Sequence, residues 1–228
     1  MKKALVVLLV LLLALPPAVV YYGYSRFPAV LSPTDGPQAK DVIYVPCHGK
    51  LIRFEVESYM AHSSGNFFKD LNWTVRFAHY KEPYKSITII VGSTDFEECA
   101  NVDKETCLLR TESAGDISGC IGAIATAPFY LQLVKELGNE TEARLEASKK
   151  AMGITHNTYL TFMQKVKLGL GIIGNDRNLV IILIGPKEGA KENKIYIPRD
   201  GVLVVEATGE RELNCAVGAL LTLLKCPG

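Results

Sequence analysis

Asn178-Leu179-Val180-Ile181-Ile182-Leu183-Ile184 is an asparagine followed by six consecutive apolar residues. A strand with one wet face alternates apolar and polar side chains. An unbroken run fits a central strand covered on both faces. Gly185-Pro186 ends the run, since proline has no amide to give a ladder. Downstream, Lys194–Ile197 reads as a short strand and Gly201–Ala207 as another. Glu210–Leu224 reads as a helix, because Leu213, Ala216, Val217, Leu220, Leu221 and Leu224 fall on one stripe. Thr208 is placed as its N-cap, and Glu210 and Glu212 suit its positive end.

Upstream, Val42–Val45 and Leu51–Tyr59 read as strands, the second by strict alternation. Trp73–Tyr80 and Ser86–Val91 are two more. Gly92 to Asp116, rich in charge, Thr and Cys, reads as a long irregular excursion. Ile117–Thr126, Pro128–Lys150 (with a break at Gly138-Asn139) and Thr155–Leu168 read as helices. Mixed strands and helices predict an α/β fold: a mixed-sheet sandwich of two or three layers, with helices packed on the sheet.

The chain has 228 residues, 48% hydrophobic and 21% charged, and a net charge of +1. Such a composition excludes a disordered chain, and the near-neutral balance gives no footprint for nucleic acid.

The first residues set location. After Lys2 and Lys3, Ala4 to Tyr22 contains no charge and only Pro16 and Pro17 as interruptions. Nineteen helical residues span about 28 Å, close to the hydrocarbon thickness of a bilayer. The stretch also suits a signal-peptide core, but no small-x-small cleavage site follows it. Tyr21, Tyr22 and Tyr24 resemble an interfacial belt. An uncleaved anchor is the favoured reading, with Lys2 and Lys3 holding the N-terminus in the cytoplasm. Residues 1–26 are then a membrane anchor or signal peptide, 27–40 a linker, and 41–228 a single extracytoplasmic domain. Without Lys2, Lys3 and Arg26, the 25 basic residues fall to 22 against 24 acidic ones.

Six cysteines in an exported chain point to disulfides, and the absence of C-x-x-C argues against redox or zinc motifs. Cys99 and Cys107 flank a polar loop that they could close. Cys215 and Cys226 would lie about 16 Å apart along one continuous helix, too far for a bridge. Cys215 should therefore meet another segment, with Cys47 and Cys120 as candidates. Buried free thiols are the alternative reading of all six. Asn72-Trp73-Thr74 and Asn139-Glu140-Thr141 are glycosylation sequons.

Signals for chemistry are sparse. His48, His62, His79 and His156 have no metal-ligand spacing, and adjacent Cys47-His48 on a strand would face opposite ways. No metal and no cofactor is expected. Gly115-Asp116-Ile117-Ser118-Gly119 sets a serine ahead of an apolar helix without forming a nucleophile elbow. Ser118 is the one candidate nucleophile, with a distant His156 or His62 as base; its simpler role is an N-cap. A carboxylate such as Asp116 near the sheet's end is the alternative catalytic group. Ser63–Asn66 and Gly169–Gly174 are loops without a phosphate-binding lysine. Phe67, Phe68, Trp73, Tyr80 and Tyr84 read either as a sugar-binding surface or as core.

Two resemblances follow from these residues. Lys2-Lys3-Ala4-Leu5-Val6 resembles the processing site of archaeal type IV pilin precursors. Against it, Pro16, Pro17, Gly23, Pro28, Pro33 and Pro37 should break the long helix a pilin needs. Leu179–Leu224 resembles a module of archaeal S-layer and related surface proteins. The shared features are the apolar strand, Gly185-Pro186, Asn193, the turn Glu206-Ala207-Thr208-Gly209, and a helix with Arg211 and Ala216. Ile184 stands where that module has a first glycine. The resemblance implies an envelope context with a structural or binding role and carries no catalytic residues. The resulting expectation is a single-pass, membrane-anchored extracellular domain. It would meet the bilayer through residues 4–22, with other envelope proteins or surface glycans as partners. An exported hydrolase and a pilin-like filament subunit are the alternatives.

Overall fold

The computed structural model describes residues 2–76, 84–97, 99 and 102–226, with side chains from residue 16 onward. Among the described residues seven strands form one sheet: β1 (Ala39–Cys47), β2 (Lys50–Ser58), β3 (Ser86–Ile90), β4 (Thr155–Thr158), β5 (Asn178–Ile184), β6 (Lys194–Arg199) and β7 (Val202–Glu206). Their order is β1-β2-β6-β7-β5-β3-β4. β5 is parallel to β3 and β7, and β3 to β4. β6 is antiparallel to β7 and parallel to β2, which forms a hairpin with β1. His48 and Gly49 close that hairpin at φ 47° and 79°, as a two-residue turn matching strand twist requires.

The apolar run is a central strand. Leu179, Ile181 and Leu183 enter one core while Val180, Ile182 and Ile184 enter a second on the opposite face. Leu203 and Val205 against Val202 and Val204 repeat the division on β7. This makes three layers. The first face carries α2 (Phe67–Arg76), α3 (Lys104–Leu137) and α6 (Glu210–Leu223). The second carries the C-terminal part of α1 (Lys2–Leu31) and α5 (Phe162–Gly169). α4 (Glu140–Ile154) returns along α3, outside the first layer.

Several elements differ from expectation. The excursion after β3 is short, because Asp103 accepts from the Thr106 amide and starts α3 at Lys104. The charge and Thr that suggested a loop are the polar side of its first turns. α3 then runs 34 residues, through Pro128, to Leu137, where Gly138 at φ 64° ends it; Asn139 caps α4. Trp73–Arg76 is helix rather than strand, since Phe67, Leu71 and Val75 recur at helical spacing and enter the core. The rest of that stretch, with His79 and Tyr80, lies outside the described residues. Thr155–Leu168 divides into edge strand β4 and α5, capped by Thr161. Gly209, not Thr208, precedes α6.

α1 is a single helix of 30 residues, with Pro16, Pro17 and Pro28 inside it. Internal prolines can kink a helix without ending it. The packing that holds α1 lies beyond Pro16 and Pro17: Phe27 and Val30 are buried, and a Cβ on Gly169 would overlap the Gly23 carbonyl. The helix thus extends five residues into the segment read as a linker.

Among the described residues, one helix is long and apolar enough to cross a membrane: α3, with mean hydropathy 1.5 over its richest stretch. Ala114, Ile117, Ile121 and Ala125 place it in the first core.

Candidate functional site: a plugged crevice and an apolar groove

The chain leaves β3 toward β4 on one side and β5 toward β7 on the other. Open α/β sheets hold ligands beyond the strand carboxyl ends at such a reversal. Here Arg110 of α3 fills that place. Its guanidinium donates to the carbonyls of Val91 (2.7 Å) and Leu183 (3.4 Å), at the ends of β3 and β5. It grips Glu210 with two bonds, at 2.7 and 3.0 Å, and Glu188 with one of 3.0 Å. Phe96 lies over it at 4.5 Å. Glu188 in turn accepts from the amides of Ser93 and Gly185. Gly92 and Gly185 leave room for the guanidinium; a Cβ on either would strike it. The Arg110 side chain is fully buried, and Glu188 and Glu210 are 6% and 12% exposed. The guanidinium is paired with both carboxylates and bonded to the strand-end carbonyls, while Glu188 takes the Ser93 and Gly185 amides, so the crevice is closed by structure.

An open groove lies instead between α3 and α4, with β4 at its floor and a volume of about 820 Å³. Gly119, Ala123 and Ala127, four residues apart, make its α3 wall shallow; Ala147, Ala151 and Met152 line the α4 side. Ser118 is here, in mid-helix rather than at an N-cap, and its Oγ donates to Asn157 Oδ1 at 2.8 Å. Among the described residues, Arg144 is the one charged side chain of the lining, with no histidine and no carboxylate beside it.

His156 neighbours Asn157 on β4, and successive strand residues point to opposite faces, so it turns away from Ser118. His62 is exposed in the loop before α2, and Asp116 is exposed on α3 off the groove. The pairing of Ser118 with His156 or His62 considered from sequence is not formed, since His156 lies on the other face of β4 and His62 in a separate exposed loop; Asp116, the alternative catalytic group, is exposed on α3 outside the groove lining.

All six cysteines are paired, as Cys47–Cys215, Cys99–Cys107 and Cys120–Cys226, with Cα separations of 5.6, 5.8 and 5.5 Å. His48 lies beside Cys47 and Cys215, but those sulfurs are bonded to each other and hold no lone thiolate for a metal. Phe67 and Tyr84 are buried, and Tyr84 donates to the Thr74 carbonyl, so these aromatics are core rather than a sugar platform. Asn72 is half-buried on α2, its amide donating to the Phe68 carbonyl. Asn139 is exposed and caps α4 through Oδ1, leaving Nδ2 as the atom a glycan would take.

In the stretch resembling a surface-protein module, Asn193 Oδ1 accepts from the Thr208 amide and hydroxyl. That bond closes the turn from β7 into α6 and is structural.

On the second face, beyond the helices, Glu57 of β2 is 3% exposed. It pairs with Lys194 and Lys40 and accepts from the Tyr59 hydroxyl. Burial pushes its carboxyl up, but these three partners outweigh it and hold the group at about 2.

Sequence reasoning did not find the Arg110 triad. Its members are 78 and 100 residues apart in pairs, and nothing local to Arg110 distinguishes it from a surface arginine. Comparison with family models, with curated proteins and with solved structures finds no match to this chain.

Proposed function

We propose that this protein is a membrane-anchored extracytoplasmic domain serving as a binding or structural component of the cell envelope. The observation that carries the reading is the pairing of all six cysteines in a domain joined without a break to the apolar leader helix. Disulfides persist in oxidising compartments, and residues 4–22 have the length and apolarity of one span. The envelope context also agrees with the resemblance of Leu179–Leu224 to S-layer modules.

Binding is favoured over hydrolysis by the chemistry of the two concave regions. The crevice at the sheet's carboxyl edge is occupied by Arg110, and the groove beside Ser118 offers an apolar wall with one cation. Such a groove suits an apolar segment of another envelope protein. The test is co-purification from detergent-solubilised membranes, with thiol alkylation before and after reduction. All six thiols should resist alkylation until reduced, and Ala123→Leu should diminish the co-purified partner. Ser118→Ala should leave partner binding unchanged; loss of a hydrolytic activity in that variant would restore the enzyme reading.

A filament subunit is the second reading. The observation favouring it is the continuity of α1 through Pro16, Pro17, Gly23 and Pro28, while Pro33 and Pro37 lie beyond its end. Crosslinks between α1 helices of neighbouring copies would support it.

A further inference from the structure

We infer that the N-terminal end of α5, together with the tyrosines of α1, is a second membrane contact that seats the domain directly on an anionic lipid surface. The inference rests on the reading of residues 4–22 as a span.

The geometry begins at Gly23 and Gly169. Their missing side chains let α1 and α5 cross backbone against backbone: a Cβ on Gly169 would overlap Gly23, and one on Gly23 would meet Leu170 at 2.7 Å. Leader and domain are therefore one packed unit rather than a ball on a string. The crossing sets the height of α5. The Phe162 ring stands 5.0 Å from that of Tyr24. Tyr24 is two residues beyond Tyr22, where the span ends, about 3 Å along a helix, which keeps it within the headgroup layer on one side of a bilayer.

The side chains at that height are those an interface takes. Tyr21 is 74% exposed, Phe162 52% and Met163 50%. Aromatic residues with a polar tip favour this layer, and an apolar helix face lying in it gains from burial. In water the same side chains would remain an uncovered apolar cluster.

Charge points the same way. All 24 acidic residues lie outside residues 1–34 and 147–175. Beyond the span, α1 carries Arg26 and α5 carries Lys165 and Lys167, and the Lys165 ammonium lies over the Phe27 ring at 5.8 Å. Two packed helices that carry cations and no carboxylates beyond the span fit anionic headgroups.

The experiment uses the full chain reconstituted in vesicles of phosphatidylcholine mixed with phosphatidylglycerol and carrying acyl chains brominated near the headgroup. Tryptophan is placed in turn at three exposed positions, Tyr21→Trp, Met163→Trp and Met152→Trp, with the wild type's own Trp73 emission subtracted. The expected result is quenching of the probes at 21 and 163 and none at 152 on α4. Quenching at 21 with none at 163 overturns the seat and leaves the anchor standing. No quenching at 21 overturns the anchor reading and the seat with it. A check without variants is oxidation by a membrane-impermeant oxidant: Met163 should be protected in vesicles while Met152 reacts. Equal oxidation of the two overturns the seat.

Discussion

Arg110 is a buried cation between two nearly buried carboxylates, and it also donates to carbonyls at the ends of two strands. Removing one partner of a buried pair leaves the other charge uncompensated, at a cost of about 3–5 kcal/mol. Arg110→Met should lower stability by that amount in denaturant unfolding. Arg110→Lys should recover only part of it, since an ammonium cannot make the two-bond grip on Glu210. Glu57 gives a prediction in pH. Its folded carboxyl titrates at about 2, below the usual carboxylate range, so its ion pairs contribute above that range and the contribution is lost as pH falls toward 2. Glu57→Gln should therefore be less stable than the wild type at neutral pH, and the gap should close between about pH 4.5 and pH 2. Parallel urea melts across that window are the measurement.

Among the elements, α1 and α5 depend on each other. α5 is eight residues long, too short to persist alone, and its buried Val166 and Leu168 stabilise it by packing. α1 supplies that packing through Gly23, Phe27 and Val30. Gly169→Leu forces bulk into the backbone contact with Gly23, and overpacking of this kind costs typically 1–3 kcal/mol or more. A lowered unfolding midpoint, with faster proteolysis in the segment of residues 32–38 as α1 detaches, is the expected outcome. The long α3 shows why boundaries were hard to read. Its Asp103 cap and first-turn Glu105 were visible signals of a start, but the exposed first turns carried a loop-like composition. The break at Gly138-Asn139 was legible because a left-handed glycine and a capping asparagine are local devices.

For the whole molecule, the disulfides tie distant parts of the chain. Cys47–Cys215 joins the first hairpin to α6 across 168 residues, and Cys120–Cys226 joins α3 to the chain end across 106. Cys99–Cys107 closes a separation of only 8. The loop-entropy model assigns about 5 kcal/mol to each long closure and about 2–3 kcal/mol to the short one. Paired Cys→Ser variants should follow that order in urea unfolding, with the short bridge the least costly to lose.

What the amino-acid order alone determined was periodic or compositional: the two-sided central strand at 178–184, the striped last helix, the α/β class and the apolar leader. Each follows from contacts between near neighbours in sequence or from residue counts, so no partner need be known. What only the tertiary structure decided was partnership at a distance. Arg110 became a buried plug because Glu188 and Glu210 arrive there with the sheet, and Cys215 met Cys47 because α6 packs beside the hairpin. Ser118 and His156 parted because a strand alternates its faces, and α1 runs past Pro16 and Pro17 to be held against α5 and the second core around Pro28. Long-range burial and charge pairing depend on which surfaces meet, and that is a property of the folded chain.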